Sequence, residues 1–284
     1  MQNAITDFRE TSITAPDGTV LFLRSIEPGR KPKASVLLTH GMGEHSARYL
    51  HVAEFLAANG YRLCTYDLRG HGRSTGRRGY IRGYDELLDD LERVRKHFKR
   101  EGERMFLYGH SMGAQVTLNY LLGREPDVQG AIITSPWLEL AFRPSRWKVL
   151  LAKIMLNLWP TFTQDGPHDD ALLSRDAAFI AAIPGRELVH CKMSARMFYE
   201  LTTGAQRAIA GAREFNCPML LIHGAEDPLT SAAATKSFFQ AIASRDKTLK
   251  IYPGMRHETH NDSERETVIA GIVDWLNERC ATFP

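Results

Sequence analysis

The stretch Arg104-Met-Phe-Leu-Tyr-Gly-His-Ser-Met-Gly-Ala-Gln-Val-Thr-Leu-Asn-Tyr-Leu-Leu122 decides how the chain reads. Arg104 to Tyr108 is a short run of strand-forming residues, and Met112 to Leu122 predicts a helix stopped by Gly123. Between them stands Gly109-His110-Ser111-Met112-Gly113, a G-x-S-x-G. A serine on a tight turn from strand to helix is held in a strained backbone with its hydroxyl exposed, and the flanking glycines leave room for close approach. That is the geometry of a nucleophile elbow; the plainer alternative is a serine capping a helix. A second match, Gly72-Arg73-Ser74-Thr75-Gly76, lies well past its strand and runs on into Arg77-Arg78-Gly79, so Ser74 reads as a loop serine.

The same strand-then-helix rhythm extends both ways. Residues 8–26, turning at Pro16-Asp17-Gly18, predict a β-hairpin. Val36–Thr39, Arg62–Tyr66 and Gly130–Thr134 read as strands, and Tyr49–Asn59 and Tyr84–Lys99 as helices. Further on, Met219–Ile222 and Thr248–Tyr252 read as strands, with helices at Ala232–Ala243 and Glu264–Glu278. Short apolar strands alternating with helices imply an α/β fold, a mostly parallel sheet flanked by helices on both faces. From about 141 to 212 the rhythm breaks: there is no apolar strand run, and Pro144, Pro160, Pro167 and Pro184 punctuate helical segments. This stretch is expected to be a helical cap inserted into a core of residues 1–140 and 213–284.

A serine hydroxyl needs a base to take its proton and a third group to orient that base. The partners are sought in loops just past later strands. Met219–Ile222 leads into His223-Gly-Ala-Glu-Asp227-Pro228, which makes Asp227 the preferred acid, ahead of Glu226 and Glu139. Thr248–Tyr252 leads into Pro253-Gly-Met-Arg-His257, which makes His257 the base. His257-Glu-Thr-His260 spaces its histidines by three rather than four, so it is no H-E-x-x-H zinc site, and no metal or other cofactor is expected. The oxyanion of an acyl intermediate needs two backbone N–H donors. They are expected from Met112, after the nucleophile, and from Met42 in the loop His40-Gly41-Met42-Gly43-Glu44-His45.

Five strings now stand together: His40-Gly-Met-Gly-Glu-His-Ser-Ala-Arg-Tyr49, Tyr66-Asp-Leu-Arg-Gly-His-Gly-Arg-Ser74, Gly109-His-Ser-Met-Gly113, His223-Gly-Ala-Glu-Asp227 and Lys250-Ile-Tyr-Pro-Gly-Met-Arg-His257. They resemble the monoacylglycerol lipase and lysophospholipase group of α/β-hydrolases. The resemblance covers the core and becomes loose over the cap. It implies the α/β-hydrolase fold, a triad of Ser111, Asp227 and His257, and an oxyanion hole from Met42 and Met112. It also implies that Glu44, Arg48 and His260 lie by a glycerol-like head group; a structural ion pair shaping the oxyanion loop is the equal alternative.

The expected activity is hydrolysis of single-chain lipid esters through an acyl-enzyme. Carboxylesterase, thioesterase and carbon–carbon bond hydrolase chemistry on a small soluble substrate share the same triad and stay open. So does a non-catalytic lipid receptor on the same fold. Composition sets wide bounds. The chain has 284 residues, 43% hydrophobic and 24% charged, with 36 Lys and Arg against 33 Asp and Glu, a net +3. Those values suit a globular protein and give no reason to expect a nucleic-acid partner. Arg69, Arg73, Arg77, Arg78 and Arg82 are expected to be mostly solvated, some facing acids such as Asp85. The N-terminal residues lack the pattern of a signal peptide. Val149–Trp159, with Lys153 and Asn157 inside it, is too short to span a bilayer. A cytoplasmic location is expected. Arg146–Trp159 is apolar around most of its circumference and must cover a tunnel, a dimer partner, a membrane surface or the cap's own core; tunnel and cap core are favoured.

Overall fold

The computed structural model describes residues 8–166 and 169–281. Met1–Asp7 and Pro167, both used in the sequence reading, lie outside the described residues. The hairpin forms as expected: β1 (Arg9–Thr14) and β2 (Val20–Ile26) pair antiparallel across the Pro16-Asp17-Gly18 turn. Then come β3 (Ser35–Thr39), α1 (Leu50–Ala58), β4 (Arg62–Tyr66), α2 (Asp85–Phe98), β5 (Met105–His110), α3 (Met112–Arg124) and β6 (Ala131–Thr134). Residues beyond 140 contribute α4 (Arg146–Leu158), β7 (Thr163–Asp165), α5 (Ala177–Ala182), β8 (Lys192–Ser194) and α6 (Ala195–Ala210). The chain closes with β9 (Met219–Gly224), α7 (Ala232–Ala241), β10 (Lys247–Tyr252) and α8 (Arg265–Ala281).

One eight-stranded sheet has the order β1-β2-β4-β3-β5-β6-β9-β10. Its pairs from β4 to β10 are parallel, and β2 joins β4 antiparallel. β3, β4, β5, β6 and β9 are buried along their whole length, because helices cover both faces and leave no side open to solvent. Successive side chains divide between two cores. Val36, Leu38, Phe106 and Ile222 pack with α1 and α8, whereas Leu37, Leu107, Ile133 and Leu221 pack with α2, α3, α6 and α7.

Two expectations are corrected, on the end of α3 and on the loop arginines. α3 passes through Gly123 and ends at Arg124, with Glu125 in the left-handed region at φ 43°; a glycine costs a helix only about 1 kcal/mol, too little to stop it. The 141–212 stretch also holds a three-residue antiparallel pair, β7–β8, beside its helices. Arg69 is buried and bonded to Asp17 and Asp90, and Asp85 faces Arg124 rather than the loop arginines. Within that same stretch α6 buries Met197, Leu201 and Ala208 in the core shared with α3. No described helix is long and apolar enough to cross a membrane.

Candidate active site

Every polar group of interest lies at the carboxyl ends of the parallel strands. Ser111 follows β5 at φ 55°, ψ −116°, a conformation that L-residues rarely adopt, and its side chain does not cap α3. Its backbone is tied on both sides: Ser111 N–H donates to Thr134 O at 2.9 Å, and Ser111 O accepts from Trp137 N–H at 3.1 Å. The flanking glycines answer to crowding. A Cβ at 113 would lie 2.2 Å from Thr39 O, and one at 109 would lie 2.5 Å from Ala114 Cα. So the strand–turn–helix sequence forces the hydroxyl outward, and glycine lets the turn sit tight on β3.

Ser111 Oγ is 2.9 Å from His257 Nε2, and His257 Nδ1 is 2.7 Å from Asp227 Oδ2. All three are less than a tenth exposed. With Asp227 ionised, Nδ1 carries the proton and Nε2 is left to accept from the hydroxyl. Burial alone would push His257 down; the Asp227 carboxylate outweighs it and raises His257 above the ordinary imidazole value of 6.5. Burial would likewise raise Asp227, but the facing His257 and the donors around it hold it well below the usual carboxylate range. Leu229 N–H and Thr230 N–H donate to its Oδ1, and Thr230 Oγ1–H to its Oδ2 at 2.8 Å. Glu226 and Glu139, the other acids considered, are exposed. Ser74 donates to Asp67 O and accepts from Phe22 N–H, which ties its loop to β2.

The loop after β3 runs beside the elbow. His40 Nδ1–H donates to Gly41 O at 2.8 Å, and its Nε2 accepts from Leu68 N–H at 2.9 Å. Glu44 Oε1 folds back to accept from Gly41 N–H and, at 2.7 Å, from Tyr49 O–H. On the other flank His190 N–H donates to Gly43 O at 2.9 Å, and a Cβ on Gly43, which has φ 77°, would lie 2.1 Å from His190 O. Met42 is thus held from both neighbours and lines the same cavity as Ser111. Met112 N–H belongs to the first turn of α3, where helix donors have no partner within the helix.

Behind this loop sits a buried charge cluster. Arg48 Nη2 donates to Glu258 Oε2 at 2.5 Å, and its Nε lies 3.2 Å from Glu44 Oε2, off the hydrogen-bonding direction. One cation faces two carboxylates. Burial, reinforced by the charge on Glu258, pushes Glu44 up to about 7 against the pull of Arg48, while Arg48 keeps Glu258 low. His260 is fully buried, stacked on Tyr49 at 4.7 Å, and neither ring nitrogen has a partner among the described residues. Of the three head-group candidates, Glu44 lines the cavity beside Ser111; Arg48 and His260 stand behind its wall.

That cavity, about 250 Å³, opens between Ser111, His257 and Met42 on one side and Leu172, His190 and Met193 on the other. It shares Trp137, Leu140, Phe142, Cys191 and Met193 with a second cavity of about 420 Å³ roofed by Val149, Ala152 and Met155 of α4. Four contributors were not singled out in the sequence: Thr230 and His223 on Asp227, Glu258 on Arg48, and His110, whose ring is 4.9 Å from that of His257. His223 and Thr230 lie four positions before and three after Asp227, and Glu258 directly follows His257, so proximity to the chosen residues was their one signal.

Comparison with known proteins identifies the family and the fold. The family model described as serine aminopeptidase, S33, matches residues 30–264. An uncharacterised abhydrolase domain-containing protein of Dictyostelium discoideum is 33% identical over 95% of this chain, which spans only 29% of that protein's length. The Homo sapiens monoglyceride lipase is 30% identical, with 94% of this chain and 89% of the relative covered. The crystal structure of Paleococcus ferrophilus monoacylglycerol lipase superposes with a TM-score of 0.81 at 27% identity, covering 96% of this chain and 100% of that one. The chain belongs to this serine hydrolase family of the α/β-hydrolase superfamily.

Proposed function

We propose that the chain hydrolyses single-chain lipid esters, a monoacylglycerol or a lysophospholipid, through an acyl-enzyme on Ser111. One observation carries this reading: the hydrogen-bonded line from Asp227 through His257 to Ser111 opens into an apolar cavity that continues beneath α4. His257 takes the Ser111 proton as Oγ attacks the ester carbonyl carbon, and Asp227 orients the ring and balances its charge. Met42 and Met112 N–H groups receive the oxyanion, each worth about 3 kcal/mol, with the N-terminal end of α3 adding to the second. Collapse expels the alcohol, protonated by His257. Water then attacks the acyl carbon with His257 again as base, and Ser111 is regenerated.

The alkyl chain lies in the α4 cavity, whose lining is mostly apolar. The hydroxyls of the head group meet Glu44, which Arg48 and His260 support from behind. Residues 141–212 act as the cap, with α6 its root in the core. The names of the human and Paleococcus relatives support the substrate class. The outer stripe of α4 (Trp147, Leu150, Ile154 and Leu158) is exposed, which supports peripheral contact with a lipid surface by a cytoplasmic protein. The test is a panel of p-nitrophenyl esters, monoacylglycerols and lysophospholipids, run with a fluorophosphonate probe. The wild type should label and prefer the lipids, and Ser111→Ala should do neither. Labelling that survives in Ser111→Ala would overturn the nucleophile, and a strong preference for short soluble esters would overturn the substrate class.

A further inference from the structure

Asp227 touches a second histidine. His223, the fifth residue of β9, is wholly buried, and its Nε2 lies 3.0 Å from Asp227 Oδ2 and 3.2 Å from Thr230 O. Its Nδ1 lies 2.9 Å from Thr235 Oγ1 on α7. An ionised Asp227 and a carbonyl oxygen can only accept, so Nε2 carries the proton; its N–H donates to Thr230 O and passes close beside Asp227 Oδ2 as a charge contact. Nδ1 is then bare and accepts from the Thr235 hydroxyl. The ring is held in one tautomer from both ends. It clasps the short turn from Asp227 to Thr230, the turn whose N–H groups and hydroxyl also converge on the Asp227 carboxylate.

We propose that His223 is a positioning residue that holds the Asp227 carboxylate against His257, in a chain running Thr235–His223–Asp227–His257–Ser111. The inference rests on the triad proposed above and extends it by two residues. His223 touches neither substrate nor reacting atoms; its effect passes through Asp227. A donor 3.0 Å from Oδ2 competes with His257 for that oxygen's charge. Removing it leaves the carboxylate more basic toward His257 and frees the turn to shift. The base should then hold its proton to higher pH and meet Ser111 less often in the right orientation. Other groups face this chain: His110 from the end of β5, Glu44 from the loop after β3, and Glu258 beside His257. All stay in place when His223 alone is changed, so a difference between variants reports on His223.

The experiment compares wild type, His223→Leu and His223→Gln in pH profiles of kcat and kcat/KM on a soluble p-nitrophenyl ester. Leucine fills the space without a donor, whereas glutamine restores an N–H near the Nε2 position. Leucine should lower kcat about 10- to 100-fold with KM within about twofold, as losses of supporting hydrogen bonds commonly do. The acid limb should move up by about half a pH unit, and glutamine should recover most of both. A wild-type kcat and acid limb in His223→Leu would overturn the proposal, as would a kcat loss with an unmoved limb that glutamine fails to restore. If His223→Leu does not fold, Thr235→Val carries the test, since it removes the donor that fixes the tautomer. It should lower kcat about three- to tenfold and move the limb the same way, and an unmoved limb would overturn the proposal. Ser111→Ala separates the two claims: residual turnover there sinks the triad itself, whereas an inactive Ser111→Ala beside an indifferent His223→Leu sinks only the role of His223.

Discussion

The two sides of the cavity follow opposite rules. On the sheet side Ser111, Asp227 and His257 are 7%, 8% and 4% exposed, and their polar atoms are bonded to one another or to the loops that carry them. On the other side α4 has no fully buried described side chain, and Trp147, Leu150 and Leu158 are 62%, 59% and 78% exposed. Bond-making tolerates errors of only tenths of an ångström, so that wall is over-determined, even to holding Ser111 in strained backbone. A hydrocarbon chain asks for no such aim. On the proposed function α4 is the wall that meets that chain; it turns Val149, Ala152 and Met155 to the cavity and exposes Trp147, Leu150, Ile154 and Leu158 beside Arg146, Lys153 and Asn157.

If the contrast is real, substitutions on the two sides should fail in different ways. The largest expected effect is at Asp227. Asp227→Asn leaves the shape but favours the wrong His257 tautomer, and turnover should fall about 10⁴-fold with little change in KM. Near-normal turnover would point to another acid. Gly113→Ala comes next. Its Cβ cannot coexist with Thr39 O and His40 O, so the elbow must lift away from β3. Turnover should drop about 100-fold or more, and the melting temperature should fall with it, since overpacking costs about 1–3 kcal/mol. An unaltered melting curve would mean that the turn is less tightly held than its contacts imply.

A third expectation concerns pH. The base must be neutral, and Asp227 raises His257 above 6.5. The acid limb of kcat/KM should therefore lie above that value, with activity lost as pH falls through it. A limb well below 6.5 would mean that burial, not the carboxylate, dominates. The smallest effect belongs to α4. Trp147→Ser with Leu158→Ser should raise the apparent KM a few-fold on vesicle-dispersed lipid esters and leave a soluble p-nitrophenyl ester untouched. Equal loss on both substrates would erase the contrast between the walls.

The parallel strands were readable because a strand covered on both faces favours an apolar run, and β3, β5 and β9 each carry one, with polar Ser35, Thr39, His110 and His223 at or near their ends. Ser111, Asp227 and His257 were readable because each lies just past the carboxyl end of a parallel strand, although Ser111 and His257 are 146 positions apart. What stayed hidden depended on partners brought together from distant parts of the chain. Arg48 pairs with Glu258, 210 positions away, and no local pattern announces it. Arg69 resembles its solvated neighbours in sequence, yet it lies buried because the hairpin turn and α2 bring Asp17 and Asp90 to it. Gly123 looked like a stop, but a glycine costs a helix only about 1 kcal/mol, and α3 runs one residue past it to Arg124.

The contact between Gly43 and His190 has a practical consequence for protein engineers. Here the backbone at His190 is pressed against the loop beside the serine with no room for even a methyl group on Gly43, and the pair is stitched by a hydrogen bond. A chimaera that imports this segment from a relative therefore imports a new abutment for that loop. Such a graft, intended to change which chain length is accepted, should alter the rate on every substrate unless the donor presents the same carbonyl at the same height. Exchanging α4 alone, which does not touch Gly43, is the cleaner cut.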